Sequence, residues 1–220
     1  MPIEVRDAVR VALELLDAEG LDKLTVRRLA AELGVQAPAL YWHFSNKRAL
    51  LDRMTDAMVA PVVAGLPPAG GSWLSWLENA ATALHAALLD HRDGARVAIG
   101  ADLTVAFALG EFAERVVEVL HGAGFPLTDA TRAAGVLVHF VLGRAVEDQG
   151  RPSPAAEAAA IETIPFPLMA RGLRERHAAG ATVSDDFGYA LAILLAGLRA
   201  TSPAGHRNDA APDGQAGTCR

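Results

Sequence analysis

The chain has 220 residues, of which 51% are hydrophobic and 5% aromatic, and its formal net charge is −6. This length and composition allow one domain of ordinary size plus a smaller one, and the preference for alanine and leucine over β-branched and aromatic residues predicts an all-α fold. The single cysteine, Cys219, excludes an intramolecular disulfide and any cysteine-rich metal site.

The sequence carries no membrane signal. No apolar run approaches the ~20 residues that a helix needs to span a bilayer. The first twenty residues are amphipathic and contain acids, so they do not match a secretory signal, in which a basic segment precedes an apolar one. We therefore expect a globular cytoplasmic protein without a membrane partner.

Residues 5–19 form the first predicted helix, since Val9, Ala12, Leu13 and Leu16 recur at helical spacing and Gly20 can end the helix. Its charged residues form a solvated face. We expect this helix to pack behind the next two elements.

Residues 25–53 predict two short helices, a tight turn and the start of a longer helix. Thr25 can cap the first helix, and Gly34 supplies the left-handed residue that ends it. The second helix begins near 36–38, where a proline in the first turn costs little, and runs to about Phe44. Ser45 or Asn46 then caps the third helix. This is a helix-turn-helix arrangement.

The charge of this stretch favours DNA as its partner. Five basic residues lie between positions 23 and 48 against one acid, Glu32, in a chain whose total charge is negative. A helix fits the major groove of DNA, where polar side chains at its N-terminal end can reach base edges.

Individual roles follow from side-chain chemistry. Arg27 and Gln36 are the side chains best able to read bases, by bidentate contacts to guanine and adenine respectively. Pro38 and Ala39 suit contact with a thymine methyl group or close approach of the helix. We expect phosphate or sugar contacts from Thr25, Tyr41, His43 and Lys47. The alternative for Tyr41 and Trp42 is core packing between the second and third helices.

The run LTVRRLAAELGVQAPALYWHFSNKRALLD resembles the DNA-binding domain of the tetracycline-repressor (TetR) family. Two later stretches, SWLSWLENAATALHAALLDHRDGARVAIG and HFVLGRAVEDQ, resemble the regulatory domain of the family's tetracycline-binding members. The resemblance covers most of residues 5–200. It implies contacts with double-stranded operator DNA from Thr25, Arg27, Gln36, Ala37, Pro38, Ala39, Tyr41, Trp42, His43 and Lys47. Ala37 and Ala39 replace polar residues of the tetracycline repressors, so a different operator is expected.

The stretch 60–72, rich in proline and glycine, predicts the domain boundary. We expect a DNA-binding domain over 1–60, comprising about 3–45 and a connecting helix over 46–60, then a linker over 61–72. A ligand-binding and dimerisation domain follows over 73–201. The tail 202–220 lacks any apolar period and is predicted to be disordered.

Four helices are predicted in the second domain. The first has Ser72 as its cap and ends near residue 91, and the second covers 104–121. The third covers 127–149, with Thr128 as its cap, and the fourth covers 184–200. The segment 91–103 reads as an irregular or single-turn stretch, which in the family links the ligand pocket to the DNA-binding domain. Residues 148–167 predict a mobile loop with one weak helix, before an amphipathic segment that starts at Pro167.

The helices over 127–149 and 184–200 are apolar on more than one face, which predicts burial on two sides. A domain of this size cannot hide both, so we expect an isologous homodimer through a four-helix bundle, as in the family. The two helix-turn-helix units of the dimer would then face successive major grooves, and the operator should be an inverted repeat.

Catalytic and metal motifs such as HExxH, CxxC, GxSxG or a phosphate-binding glycine loop are absent from the sequence, so we do not expect an enzyme, a cofactor or a metal. His139 and Glu147 lie eight residues apart on one helix, about 12 Å along its axis. Either both side chains line a cavity, or His139 is a hydrogen-bonded histidine of the core and Glu147 finds its partners across the dimer interface. In the family's tetracycline-binding members the matched histidine and glutamate help to hold the drug and its magnesium.

The histidine that binds magnesium in those members is matched by Ala98, and other polar or aromatic drug contacts are matched by Val63, Ala80 and Leu84. A magnesium-tetracycline chelate is therefore not expected. We expect a hydrophobic ligand, contacted by Leu84, Ala98, Leu103, Leu137, His139 and Glu147, although a pocket filled by its own side chains is the alternative.

The sequence thus predicts a ligand-responsive repressor, a dimer that leaves its operator when a small molecule binds. The direction of the coupling is open, so an activator is conceivable. An effector-independent helix-turn-helix DNA-binding protein and a small helical enzyme are the two alternatives.

Overall fold

Helix formation dominates the computed structural model, which describes residues 4–202. Within that range the chain forms eleven helices and no strand, as the alanine- and leucine-rich sequence predicts. The helices are α1 (Val5–Glu19), α2 (Val26–Glu32), α3 (Ala37–Tyr41), α4 (Lys47–Gly65), α5 (Trp73–Leu89), α6 (Gly94–Ala98), α7 (Phe107–Gly122), α8 (Leu127–Gln149), α9 (Pro154–Glu162), α10 (Pro167–Ala178) and α11 (Val183–Ala200).

The first hydrophobic core is built by α1, α2, α3 and the N-terminal half of α4, which together we call the reading head. Leu16, Leu29, Leu40 and Leu50 are fully buried in it. Thr25 Oγ1 accepts a hydrogen bond from the Arg28 N–H at 3.0 Å, which confirms the predicted cap of α2.

Two further local signals fix the turns of the reading head. Gly34 has a φ of 68°, so the glycine that ends α2 adopts the left-handed conformation expected from the sequence. Asn46 Oδ1 caps α4 by accepting a hydrogen bond from the Ala49 N–H at 2.9 Å. The short α3 is thereby held between two tight turns.

Helix α4 joins this core to a second one. It continues through Pro61 to Gly65, five residues into the stretch predicted to be a linker, so that part of the prediction is wrong. Val59 and Val63 are buried in the second core. This packing offsets the free-energy cost of the backbone hydrogen bond that a proline removes from a helix interior.

The second core is formed by the C-terminal half of α4 together with α5, α7, α8 and α11. Ser72 caps α5 as predicted, accepting a hydrogen bond from the Ser75 N–H at 3.3 Å. Thr128 does not cap α8, because the helix already begins at Leu127 and Pro126 occupies the cap position.

The region between α8 and α11 contains the helices α9 and α10. The one helix that the sequence predicts in the stretch 148–167 is α9, which covers nine residues. Arg151 and Arg176 both bind the Glu157 carboxylate of α9, which fastens it to the end of α8 and to α10. The predicted disordered tail, with Cys219, lies outside the described residues except for Ser202.

Candidate nucleic-acid interface and ligand cavity

Helix α3 projects from the reading head. Leu40 is its only fully buried residue, and Phe44, just beyond it, anchors the following turn in the core. Tyr41 is 45% exposed and Trp42 is 90% exposed. Trp42 therefore does not pack between the second and third helices, and a large aromatic surface is left facing solvent beside α3.

The two predicted base-reading residues are exposed on α2 and at the start of α3. Gln36 occupies the cap position of α3, makes no cap hydrogen bond and is exposed, and Arg27 is exposed on α2. The remaining predicted DNA contacts share this exposure to different degrees: Thr25, Pro38, Ala39 and His43 are exposed, and Ala37 is half-buried.

The basic side chains of the reading head divide according to their partners. Arg28 binds Glu19 at 2.7 Å and Glu32 at 2.8 Å, and its hydrogen bond lowers the pKa of the Glu19 carboxyl. Lys47 is half-buried and donates to the Leu21 carbonyl at 2.8 Å. Because two carboxylates neutralise Arg28, the count of five basic residues in the sequence overstates the charge available to DNA, whereas Lys47 bonds a neutral carbonyl and keeps its charge.

Arg48 points away from the projecting surface and holds the C-terminal end of α6. Its guanidinium donates to the Val97 carbonyl at 2.8 Å and to the Ile99 carbonyl at 3.0 Å. Its Nε donates to Asp52, which also accepts a hydrogen bond from the Asp102 N–H. Arg48 and Asp52 on α4 therefore hold the segment 97–102 by hydrogen bonds to its backbone, and we call this segment the α6 loop.

The N-terminal end of α6 is tied to the turn between α1 and α2. Asp93, in the left-handed conformation with a φ of 58°, accepts a hydrogen bond from the Leu21 N–H at 2.9 Å and one from Arg96. Partial burial disfavours the charged Asp93 side chain, but these two hydrogen bonds outweigh it and lower its pKa. Arg96 also reaches Asp22 at 3.0 Å.

The α6 loop forms one wall of a cavity of about 280 Å³. Opposite walls come from α7 and α8, and the lining is apolar apart from His139. The lining residues are Ala98, Gly100, Ala101, Leu103, Leu109, Ala113, Gly135, Val138, His139 and Leu142.

Three of the six predicted ligand contacts, Ala98, Leu103 and His139, meet at this cavity. Leu84 and Leu137 do not line it, because both are fully buried in the second core, where they pack against neighbouring helices. Glu147 is exposed on α8 and is likewise absent from the lining.

A buried polar cluster near the end of α8 was missed at the sequence level. His85 Nε2 lies 2.9 Å from Asp148 Oδ2, and Arg144 holds the same carboxylate at 2.6 Å. Phe187 stacks on the His85 ring with 3.9 Å between centroids. Burial lowers the pKa of His85, and the hydrogen bond to Asp148 offsets part of that effect.

Two kinds of site were sought among residues 4–202. No group of three or more histidine, cysteine, aspartate or glutamate side chains there is placed to hold a metal ion. Over the same range, no helix combines the length and apolar character needed to cross a membrane.

The sequence and fold match known proteins over nearly the whole described range. Residues 8–54 match the family model of bacterial regulatory proteins of the tetR family, and residues 66–202 match the tetracyclin repressor-like C-terminal domain. The chain is 38% identical over 199 residues to the class A tetracycline repressor protein from transposon 1721 of Escherichia coli, covering 89% of this chain and 90% of that protein.

Solved structures give the same result. A possible TetR family transcriptional regulator from Streptomyces coelicolor A3(2) has a TM-score of 0.78 and 38% identity, over 90% of this chain and 99% of the other. A TetR variant from Acinetobacter baumannii AYE in complex with minocycline has a TM-score of 0.74 and 33% identity, over 91% and 95% of the two chains. The chain therefore belongs to the TetR family of DNA-binding transcriptional regulators.

Proposed function

We propose that the protein is a ligand-responsive transcriptional repressor, which binds an inverted-repeat operator as a homodimer and leaves it when a small molecule fills the cavity beside α6. The observation that carries this proposal is the double role of the α6 loop. One side of the loop lines the cavity, and the other side is gripped by Arg48 and Asp52 of α4.

Reading of DNA is assigned to the projecting surface of α2 and α3. Arg27 and Gln36 are exposed there, and their side chains have the donor and acceptor groups that match guanine and adenine edges. Thr25, Tyr41, Trp42, His43 and Lys47 surround them and would contact the sugar-phosphate backbone, with Ala37, Pro38 and Ala39 allowing close approach.

Dimerisation is assigned to one face shared by α8 and α11. Tyr189 is 74% exposed and Ile193 is 59% exposed on α11, although both are large and apolar in body. Val136 on α8 is also exposed, and His139 and Glu147 follow it at helical spacing. Packing this face against a second copy would bury it in a four-helix bundle and place Glu147 at the interface.

The proposed effector is an apolar molecule that carries one polar group. The cavity lining supports this choice, because His139 is its single polar side chain and Ala98 cannot bind a metal. The crystal structure of the Acinetobacter baumannii TetR variant is a complex with minocycline. For this chain a magnesium-tetracycline chelate is not proposed.

Release from DNA would follow from a shift in population between two conformations. A ligand that favours a displaced α6 loop would break the hydrogen bonds between that loop and Arg48. Because Arg48 lies on the half of α4 that belongs to the reading head, the displacement would reach the reading head. The ligand can weaken operator binding only by its preference for the displaced conformation, typically ~1–3 kcal/mol.

Filling the cavity tests this proposal. Gly135 lines the cavity, and a Cβ there would meet no atom within 4 Å, so the side chain of Gly135→Leu starts in open space beside the cavity. The test compound is the one that, among a panel of neutral aromatic molecules, most raises the melting temperature of the wild type. We expect the variant to bind the operator with wild-type affinity and to stay bound when this compound is added.

The matched control is Gly172→Leu on α10, where an added Cβ also meets no atom within 4 Å and which is not among the cavity-lining residues. This variant should keep the response to the compound. If no compound stabilised the wild type, or if Gly135→Leu responded like the wild type, a DNA-binding protein that needs no effector would replace the proposal.

A further inference from the structure

Gln149, the last residue of α8, joins three backbone segments with one side chain. Its Oε1 accepts a hydrogen bond from the Ala95 N–H at 3.1 Å. Its Nε2 donates to the Leu88 carbonyl and to the His91 carbonyl, both at 2.8 Å. The side chain thus binds the C-terminal end of α5 and the N-terminal end of α6 at once.

Two of these backbone groups, the Leu88 carbonyl and the Ala95 N–H, lie in the last turn of α5 and the first turn of α6, whereas the His91 carbonyl lies between the helices and also accepts a hydrogen bond from the Gly94 N–H. Carbonyls in the last turn of a helix and N–H groups in the first turn have no partner within the helix. Asp93, at the cap position of α6, makes no side-chain cap hydrogen bond. A carboxamide suits this position because it both accepts and donates, whereas a carboxylate only accepts.

The end of α5 and the start of α6, which Gln149 joins, are tightly packed against each other. A Cβ added to Gly94, the first residue of α6, would collide with the Leu88 carbonyl oxygen and crowd the Cβ of His91. The beginning of α6 is therefore pressed against the end of α5, and Gln149 spans the two on the α8 side.

Helix α6 is also the bridge between the two hydrophobic cores. Val97 is fully buried in the core of the reading head, and Ala98 is fully buried in the second core. Arg48 holds the far end of α6, and Asp93 holds the Leu21 N–H. A change in the orientation of this five-residue helix would therefore alter both its cavity wall and its contacts with the reading head.

We propose that Gln149 is a positioning residue that fixes the N-terminal end of α6 in the operator-binding orientation and thereby sets how readily α6 moves. Gln149 is not among the residues that line the cavity, and its side-chain hydrogen bonds go to Leu88, His91 and Ala95, none of which belongs to the reading head. The link to DNA rests on the proposed function, whereas the link to α6 stands on these contacts alone.

Hydrogen exchange on the full-length protein, without DNA or ligand, tests the structural half. Gln149→Glu keeps the acceptor for the Ala95 N–H but sets a carboxylate against two carbonyls, and Gln149→Ala removes all three bonds. We expect exchange of the α6 amides and of the Leu21 amide to accelerate about tenfold in both variants, because hydrogen bonds that hold the start of α6 are lost.

His85→Gln is the matched control. It weakens another contact between α5 and the end of α8, the His85–Asp148 hydrogen bond, without touching α6. The control should leave α6 exchange at the wild-type rate. Unchanged α6 exchange in both Gln149 variants, or equal acceleration in His85→Gln, would overturn the proposal.

Operator binding tests the functional half, with a duplex selected by the wild-type protein as the probe. We expect Gln149→Glu to weaken binding to this duplex about fivefold to tenfold while binding to a scrambled duplex stays unchanged. Faster α6 exchange with unaltered operator affinity would overturn the role assigned to Gln149. Failure of the wild type to select any sequence would instead refute the proposed function, and the exchange result would still decide the structural half.

Discussion

At the scale of single residues, adjacent positions on α4 serve different surfaces. Lys47, the first residue of the helix, donates to the Leu21 carbonyl, and Arg48 donates to the carbonyls of the α6 loop. The sequence shows two neighbouring basic residues and cannot separate them, because the partners of Arg48 lie about fifty residues further along the chain.

This difference predicts how each residue affects the salt dependence of DNA binding. Lys47→Gln should reduce the slope of log affinity against log salt concentration by ~0.9, since one phosphate contact is lost. Arg48→Gln should leave the slope unchanged. Binding isotherms over a range of salt concentrations measure both slopes, and a reduced slope in Arg48→Gln would show that this side chain contacts phosphate.

His85 gives a prediction about stability and pH. Because burial lowers its pKa in the folded protein below the ordinary value of 6.5, the unfolded chain binds the proton more readily. The contribution of this group is full above pH 6.5 and is lost as the pH falls from 6.5 toward the lowered pKa. The slope from one such group is at most ~1.4 kcal/mol per pH unit.

His85→Gln should remove this part of the pH dependence. Urea unfolding at a fixed protein concentration, from pH 5 to pH 8, measures the free energy of unfolding for both proteins. We expect the wild type to lose stability more steeply than the variant below pH 6.5. Parallel curves for the two proteins would mean that His85 titrates normally in the folded state.

At the scale of elements, local signals located most helices, and long-range packing decided where they end. Thr25, Gly34 and Ser72 act as the sequence predicts, because caps and left-handed glycines depend on near neighbours. Helix α4 passes Pro61 because Val59 and Val63 pack in the second core, and no local pattern reports that packing.

The exposed face of α8 and α11 carries a prediction for assembly. Ile193→Asp would place a charge in the centre of the proposed four-helix bundle, where it could not be solvated. We expect the variant to sediment as a monomer and to lose operator affinity by more than ~100-fold, since one reading head binds far more weakly than two linked heads.

Thr82→Asp introduces the same charge at an exposed position of α5, which is not one of the two helices of that face, and is its control. It should remain dimeric and keep its operator affinity. A dimeric Ile193→Asp protein in sedimentation velocity would show that the two copies associate through another surface.

At the scale of the whole molecule, two cores are joined by one long helix and one short one. The all-α class and the family follow from the sequence. Of the predicted ligand contacts, Ala98, Leu103 and His139 line the cavity, whereas Leu84 and Leu137 lie in the second core, because apolar residues of a core and of a cavity look alike in a sequence. Gln149 was missed because its partners are backbone groups, which leave no pattern in side-chain chemistry.

The whole-molecule prediction concerns the form of the operator. Two reading heads related by a twofold axis should contact successive major grooves on one side of the duplex, with half-site centres ~34–36 Å apart. The half-sites should therefore be inverted copies of one another, and Arg27→Ala or Gln36→Ala should each cost ~1–3 kcal/mol at symmetry-related base pairs.

Selection from a random pool of double-stranded oligonucleotides, followed by sequencing, tests the central claim most directly. The account predicts enrichment of one inverted repeat, bound by two copies of the chain, with the preference relaxed at matching positions in both half-sites for Arg27→Ala. Recovery of no preferred sequence, or of a single asymmetric half-site bound by one copy, would contradict it.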